Sequence, residues 1–310
     1  SEIQELRLNR ESHWRFKLDL ERINWKDGIL GDLSIDAASV SDPVLIRGDG
    51  QFLYTLASVC DDVDFGITNV VRGSDHVTNT ATQIQIIESL GGNVPDFSHH
   101  SLLTGSKGEP LSKRLGTLSL RDLRANGLEP MAILSYMSRL GSSEAIELFD
   151  NIDDLAENFD ISNFGAQPTK FDLTDILPLS KKYISGLDVS EVYDNLKASG
   201  VPSDIAPNFW LIVRENISTR AEIKHWWSIC SEGVTPVIDK EDIQFIEIAK
   251  SLLPVGNFDE NTWKNWTSEI KAITGRKGKT LFMPLRKALT GMEHGPDMSR
   301  LLPLLQKINI

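Results

Sequence analysis

The chain has 310 residues, 40% of them apolar and 25% charged, with a net charge of −12. That length accommodates two or three domains with cores of their own, and the balance of residues is that of a globular protein. The acidic total excludes a generally basic nucleic-acid coat, although a local basic surface can bind phosphate on an acidic body. No apolar run approaches the ~18 residues of a membrane helix, and no charged n-region with an apolar h-region opens the chain, so neither a span nor secretion is expected.

In chain order, the alternation at Trp14–Leu18 predicts a strand, Lys26-Asp27-Gly28 a turn, and Ile29–Ile35 a second strand. A short strand follows at Val44–Arg47, a hairpin-type turn at Gly48-Asp49-Gly50, then an apolar segment from Phe52 to Val59. Gly66–Arg72 reads as a buried strand ending in Gly73-Ser74-Asp75-His76. Thr78 or Asn79 is placed to cap a helix through Glu88, with Ile84, Ile87 and Leu90 on one face and Gly91-Gly92 at its end. Ser98–Leu103 is another strand, leading into the loop Gly108-Glu109-Pro110-Leu111-Ser112-Lys113-Arg114-Leu115-Gly116. Strand, polar tip, helix, strand, loop is a parallel α/β pattern, and ligands of such sheets sit at the carboxyl ends of the strands.

Beyond this loop the chain turns helical. Ser119 caps a short helix ended by Gly127, and Pro130 opens another. Amphipathic helices then alternate with breaks at Pro168, Gly186, Gly200-Val201-Pro202, Gly233 and Pro254-Val255-Gly256. Trp210, Trp226, Trp227, Trp263 and Trp266 fall in these helices and are expected mainly as core fillers rather than base-stacking platforms. The fold class expected is α/β plus all-α.

Candidate chemistry gathers at two places. In the α/β part, Tyr54, Arg72, Asp75, His76 and Lys113 lie on strand ends and loops; Arg72 offers a bidentate fork to a carboxylate, or forms a local ion pair with Asp75. Ser112 and Lys113 offer a hydroxyl and an ammonium to phosphate. No Gly-x-x-x-x-Gly-Lys loop, no Gly-x-Gly-x-x-Gly fingerprint and no nucleophile elbow occurs. Near the end, Thr274-Gly275-Arg276-Lys277-Gly278-Lys279-Thr280 is the clearest phosphate-attracting patch, running into a helix expected over Leu281–Leu289. Cys60 and Cys230 have no Cys or His at ligand spacing, which predicts reduced, buried thiols and no zinc within this chain.

Taken together, Tyr54-Thr-Leu-Ala-Ser-Val-Cys-Asp-Asp, Gly66-Ile-Thr-Asn-Val-Val-Arg-Gly-Ser-Asp-His76 and Leu111-Ser-Lys-Arg114 resemble the glutamyl-tRNA synthetases, class I aminoacyl-tRNA ligases. Leu128–Gly141 and the stretch Thr274–Gly291 with Glu293-His-Gly-Pro296 continue the likeness; it is loose between about 145 and 270. The resemblance implies activation of L-glutamate with ATP and Mg2+, then transfer to the 3′ end of tRNA(Glu), in a cytoplasmic, monomeric enzyme without membrane attachment. Lys113 would act as the signature-loop lysine on the ATP phosphates, with Ser112 beside it and Asp75 near the ATP. Tyr54 and Arg72 would hold the glutamate, and Arg276, Lys277 and Lys279 would contact tRNA.

The resemblance also implies an organisation. Residues 1–40 would be the remnant of an acceptor-binding insertion, and 41–110 the C-terminal half of a Rossmann-type catalytic domain. Residues 111–185 would carry the signature loop and stem-contact helices, and 186–310 a helical anticodon-binding domain. The family's His-x-Gly-His signature is absent, Pro110 stands where Lys is usual, and Ser74 where Glu is usual. The chain is therefore expected to be the C-terminal portion of a synthetase, inactive alone. A non-catalytic tRNA-binding module and a glutaminyl-tRNA ligase are the alternatives.

Overall fold

The computed structural model describes residues 12–105, 108–109 and 119–310. Ser112 and Lys113 lie outside the described residues. The described chain separates into two compact units. One holds the described residues up to 109 with Ser138–Ile146 and Ala156–Asp172; the other holds those from 119 to Met137, Glu147–Leu155 and Leu173–Ile310.

In the first unit, β1 (Trp14–Arg15) pairs antiparallel with β4 (Val44–Ile46). The strand expected at Trp14–Leu18 is only two residues long, because its register with β4 slips between Trp14 and Arg15. β2 (Arg22–Asp27) and β3 (Gly31–Asp36) form a hairpin. Its turn, at 28–30, falls two residues beyond the expected Lys26-Asp27-Gly28. Asp27 ends β2, and its Oδ1 accepts the amides of Ile29 and Leu30, both at 3.0 Å, to shape the turn. The apolar segment at Phe52–Val59 is the start of helix α1 (Tyr54–Asp64), with Val59 buried and Leu56 and Val63 packed beside it. These are three and four residues apart, which is the helical repeat.

β5 (Asn69–Gly73), α2 (Val77–Ser89) and β6 (Asp96–His100) make a βαβ unit, the two strands running parallel. This is the parallel α/β element expected from the sequence. β5 is not the buried strand expected, however: Val71 is 58% exposed. α2 begins at Val77, ahead of Thr78, with no side-chain cap; a turn of 3-10 helix, Ser74–His76, leads into it. From Thr80 to Ile87 every residue of α2 is buried, polar ones included. β7 (Leu103–Thr104) pairs parallel with β8 (Thr169–Lys170).

The hairpin is bolted to β6 through Asp27. Its Oδ1 accepts the backbone N–H of His99 at 3.0 Å and its Oδ2 lies 2.5 Å from His99 Nδ1, with both side chains fully buried. Gly28 permits the approach. Its N–H donates to the Phe97 carbonyl at 2.9 Å, and a Cβ there would lie 2.2 Å from Ser98 Oγ. Ile23, Ala81, Ile84 and Phe97 fill the space between hairpin, helix and strand.

The second unit is helical: α3 (Leu120–Ala125), α4 (Pro130–Met137), most of α5 (Ile152–Glu157), α6 (Ile176–Gly186), α7 (Val189–Ala198), α8 (Ala206–Val213), α9 (Glu222–Glu232), α10 (Ile243–Ser251), α11 (Thr262–Thr274), α12 (Lys279–Thr290) and α13 (Met298–Leu301). The expected signals at Ser119 and Pro130 hold. Ser119 makes a capping box with Asp122, and Pro130 opens α4. α11 and α12 end at Gly275 and Gly291, both left-handed, a conformation that costs a residue bearing Cβ.

Trp210, Trp226, Trp227 and Trp266 are buried in one core. The indole N–H of Trp210 donates to the Leu187 carbonyl and that of Trp266 to the Ala249 carbonyl, both at 2.9 Å, so these rings are committed to packing. Cys230 lies in the same core and burial pushes its thiol up to about 12, whereas Cys60 is only half-buried.

One ion pair reaches across 91 residues of sequence. Glu129, just ahead of α4, accepts Arg220 Nε at 2.8 Å and Nη2 at 3.1 Å in a bidentate fork. Glu129 is 5% exposed, so removing Arg220 strands a buried carboxylate. Arg220→Ala is expected to lower unfolding stability by about 2–3 kcal/mol, read as a drop in the urea midpoint; a change under about 0.5 kcal/mol would show that the pair carries no stability.

A second expectation concerns acid. Burial alone pushes the Asp27 carboxyl up, but the Leu30 amide, the His99 ring and the amides of His99 and Ile29 outweigh it and hold the group low. On acidification the unfolded chain therefore takes up this proton first. The stability from Asp27 is complete above about pH 5 and is lost as pH falls through and below about 4. Urea midpoints measured from pH 6 to pH 3 should fall less steeply for Asp27→Asn than for the parent chain. Parallel slopes would show that Asp27 is not depressed.

Candidate active site

The α/β unit presents its functional side chains at the carboxyl end of β5. Arg72 lies opposite His99 in the parallel register. Its Nη2 donates to Thr80 Oγ1 at 2.6 Å and to Gln83 Oε1 at 2.7 Å, and its Nε donates to His99 Nε2 at 3.2 Å. The guanidinium carbon stands 5.4 Å from the centre of the Phe97 ring. All these partners are neutral groups. Among the described residues Arg72 makes no ion pair, and its Nη1 has no hydrogen-bond partner.

Arg72 also acts at longer range on Asp62 of α1, whose carboxyl is pushed up by burial and drawn partly back by the Arg72 cation. The local Arg72–Asp75 ion pair allowed by the sequence is not formed. Asp75 instead faces His76, 3.7 Å from its Nε2. Gly73 makes room for that carboxylate, since a Cβ at 73 would lie 2.5 Å from Asp75 Oδ1. Asp75 itself is exposed at the mouth of the strand.

Tyr54 joins the same neighbourhood from the first turn of α1. Its ring meets the His76 ring edge-on, with centroids 5.7 Å apart, and it remains 54% exposed. One turn on, Ser58 Oγ donates to the Tyr54 carbonyl at 2.7 Å and accepts Gln83 Nε2 at 3.1 Å. Gln83 therefore bridges α1 to Arg72. Tyr54, Arg72 and Asp75 are thus joined by one connected set of contacts, whereas Lys113 and Ser112 fall outside the described residues.

Sequence reasoning missed Thr80, Gln83, His99, Asp27 and Ser58. One signal was available. Thr80, Gln83 and Gln85 interrupt the stretch of α2 that the apolar periodicity assigns to the core, and a buried polar residue needs a partner.

The predicted phosphate-binding patch lies in the second unit. Arg276 is half-buried; its Nη1 pairs with Asp242, and its guanidinium stacks on Phe245 with 4.2 Å from Cζ to the ring centre. Lys287 pairs with Asp239 at 2.6 Å, and that contact holds its ammonium charged to higher pH than usual. Lys277 and Lys279 are exposed and, among the described residues, have no ion-pair partner. Left-handed Gly275 and Gly278 at a positive φ of 58° turn the chain around these two lysines.

The family described as tRNA synthetases class I (E and Q), catalytic domain, matches residues 2–178, and the family described as anticodon binding domain matches 211–310. Glutamate–tRNA ligase 1 of Roseobacter denitrificans is 64% identical over 295 residues, covering 95% of this chain and 67% of that protein. Glutamate–tRNA ligase 2 of Jannaschia sp. is 61% identical, covering 94% and 65%. This chain thus spans about two thirds of the length of the curated relatives it matches. The crystal structure of a glutamate–tRNA synthetase from Elizabethkingia anophelis superposes with a TM-score of 0.74 at 22% identity, covering 98% of this chain and 68% of that one, and shows a shared fold. The chain belongs to the glutamate–tRNA ligase family of class I tRNA synthetases.

Proposed function

We propose that this chain supplies the glutamate-binding and tRNA-binding parts of an enzyme that activates L-glutamate with ATP and transfers it to tRNA(Glu). The observation that carries the reading is Arg72: a half-buried cation at a strand end, oriented by neutral partners only, with Nη1 left for a ligand. Such a group is suited to a carboxylate, because a buried positive charge without an ion pair gains most from an anionic ligand. Tyr54 borders the same place with an exposed phenol. Asp75, Ser112 and Lys113 are assigned to the ATP side, with Lys113 neutralising charge on the phosphates as the carboxylate attacks the α-phosphate and pyrophosphate leaves.

Mg2+ belongs to this reaction as a companion of ATP. The ion is assigned to the phosphates of the nucleotide. Lys277 and Lys279 are assigned to tRNA phosphates. Arg276 shapes that loop by gripping Asp242 and Phe245. The division into 1–40, 41–110, 111–185 and 186–310 is retained as part of the proposal, as is a cytoplasmic location.

Because this sequence contains no His-x-Gly-His element, the polypeptide alone is expected to show no glutamate-dependent exchange of pyrophosphate into ATP. Exchange at the rate of an intact ligase would overturn that. In an intact ligase carrying this sequence, Lys113→Ala should lower the rate of adenylate formation by about 100-fold or more while tRNA affinity changes little. Equal losses in both would remove Lys113 from the transition state.

The tRNA assignment has its own test. In filter binding across a salt series, Lys277→Ala and Lys279→Ala should each reduce the slope of log affinity against log salt by about 1. An unchanged slope would place the phosphate contacts elsewhere.

A further inference from the structure

His99 and Asp27 form a chain of contacts ending on the Arg72 fork. An ionised carboxylate can only accept, so the short contact between Asp27 Oδ2 and His99 Nδ1 places a proton on Nδ1. The ring's other nitrogen then presents a lone pair, and Arg72 Nε–H donates into it at 3.2 Å, with Thr80 Oγ1 3.0 Å from the same nitrogen. Neither the His99 nor the Asp27 side chain reaches solvent. Asp27 is immobile in turn, since its Oδ1 takes the amides of Ile29, Leu30 and His99.

The consequences fall on Arg72. A guanidinium held only at Nη2 by Thr80 and Gln83 can still swing about that end. Fixing Nε as well sets the plane of the fork and the direction in which Nη1 points. We propose that Asp27 and His99 are positioning residues for glutamate binding: Asp27 selects the tautomer of His99, and His99 locks the plane of the Arg72 guanidinium. Neither touches the substrate. The inference rests on the reading of Arg72 as a glutamate ligand and deepens it.

The test uses the intact ligase carrying this sequence, assayed by glutamate-dependent exchange of pyrophosphate into ATP, with KM for glutamate and for ATP, kcat and Tm measured for each variant. His99→Leu removes the acceptor and should raise the glutamate KM by about tenfold or more, with the ATP KM unchanged within about twofold. His99→Gln restores an acceptor oxygen that can reach Arg72 Nε, and should return the glutamate KM to within about threefold of the parent.

Asp27→Asn is nearly isosteric. Its amide can donate to Nδ1, which turns the tautomer over and sets an N–H of His99 against the N–H of Arg72. It should raise the glutamate KM severalfold, even at a temperature where the fold is intact. This variant and His99→Gln keep the proposal falsifiable if His99→Leu does not fold.

Variants that lose Tm while keeping the parent glutamate KM would reduce the Asp27–His99 pair to a structural tie and overturn the proposal. So would a His99→Gln enzyme as impaired as His99→Leu, or equal rises in the glutamate and ATP KM values. Arg72→Ala separates the two levels of the argument. If it leaves the glutamate KM unchanged, the reading of Arg72 itself fails. If it raises that KM while Asp27→Asn and His99→Leu do not, only the positioning role fails.

Discussion

A carboxylate taken fully out of water must be paid for with hydrogen bonds, and Asp27 meets that requirement completely. Three backbone amides and one imidazole N–H converge on its two oxygens. Meeting it fixes much else. The hairpin β2–β3 can seat on β6 only where Asp27 finds His99, and Gly28 is the residue that lets the turn come that close. The same contact determines which nitrogen of His99 is left as an acceptor, and that nitrogen faces Arg72. One buried charge therefore sets the docking of the hairpin, the tautomer of a histidine and the attitude of an arginine.

The cations of the two units are treated differently by their surroundings. Arg220, Arg276 and Lys287 each meet a carboxylate, and their positive charge is spent on holding segments together. Arg72 is oriented as firmly but by a hydroxyl, an amide oxygen and an imidazole, none of which cancels its charge. Lys277 and Lys279 are left in solvent on a turn built by two glycines. In a chain of net charge −12, carboxylates are plentiful enough to neutralise every lysine and arginine. Arg72, Lys277 and Lys279 are among the described cations that no carboxylate pairs with.

Local signals made some of the fold legible in the sequence. The cap at Ser119 and the proline that opens α4 act within a few residues of themselves, and they hold. The segment from Phe52 reads only as an apolar stretch, and its helix is not legible, because its apolar residues are few and Tyr54 and Phe52 face outward; only Leu56, Val59 and Val63 mark the packed side. The Trp14–Leu18 strand failed because alternation says nothing about whether a partner keeps register.

The site divides along the same line. Arg72, Asp75 and Tyr54 could be named because they end strands or open helices, where side chains reach solvent. Asp27 and His99 are 72 residues apart and look like an ordinary turn aspartate and one of two adjacent strand histidines. Their pairing is created by the docking of the hairpin, which no local pattern encodes.

That difference bears on how a thin platform can hold a precise group. Two parallel strands, with Val71 of β5 open to solvent, form less sheet than is ordinarily stable by itself. Rigidity at Arg72 cannot come from the breadth of the sheet. It comes from α2, buried along its length from Thr80 to Ile87, which brings Thr80 and Gln83 to one side of the guanidinium while β6 brings His99 to another. Polar residues in a helix core are a cost to stability wherever they lack partners. Here Thr80 and Gln83 are satisfied by the arginine they orient, so stability and orientation come from the same hydrogen bonds. Loosening one contact would therefore misdirect the fork before it unfolded the helix.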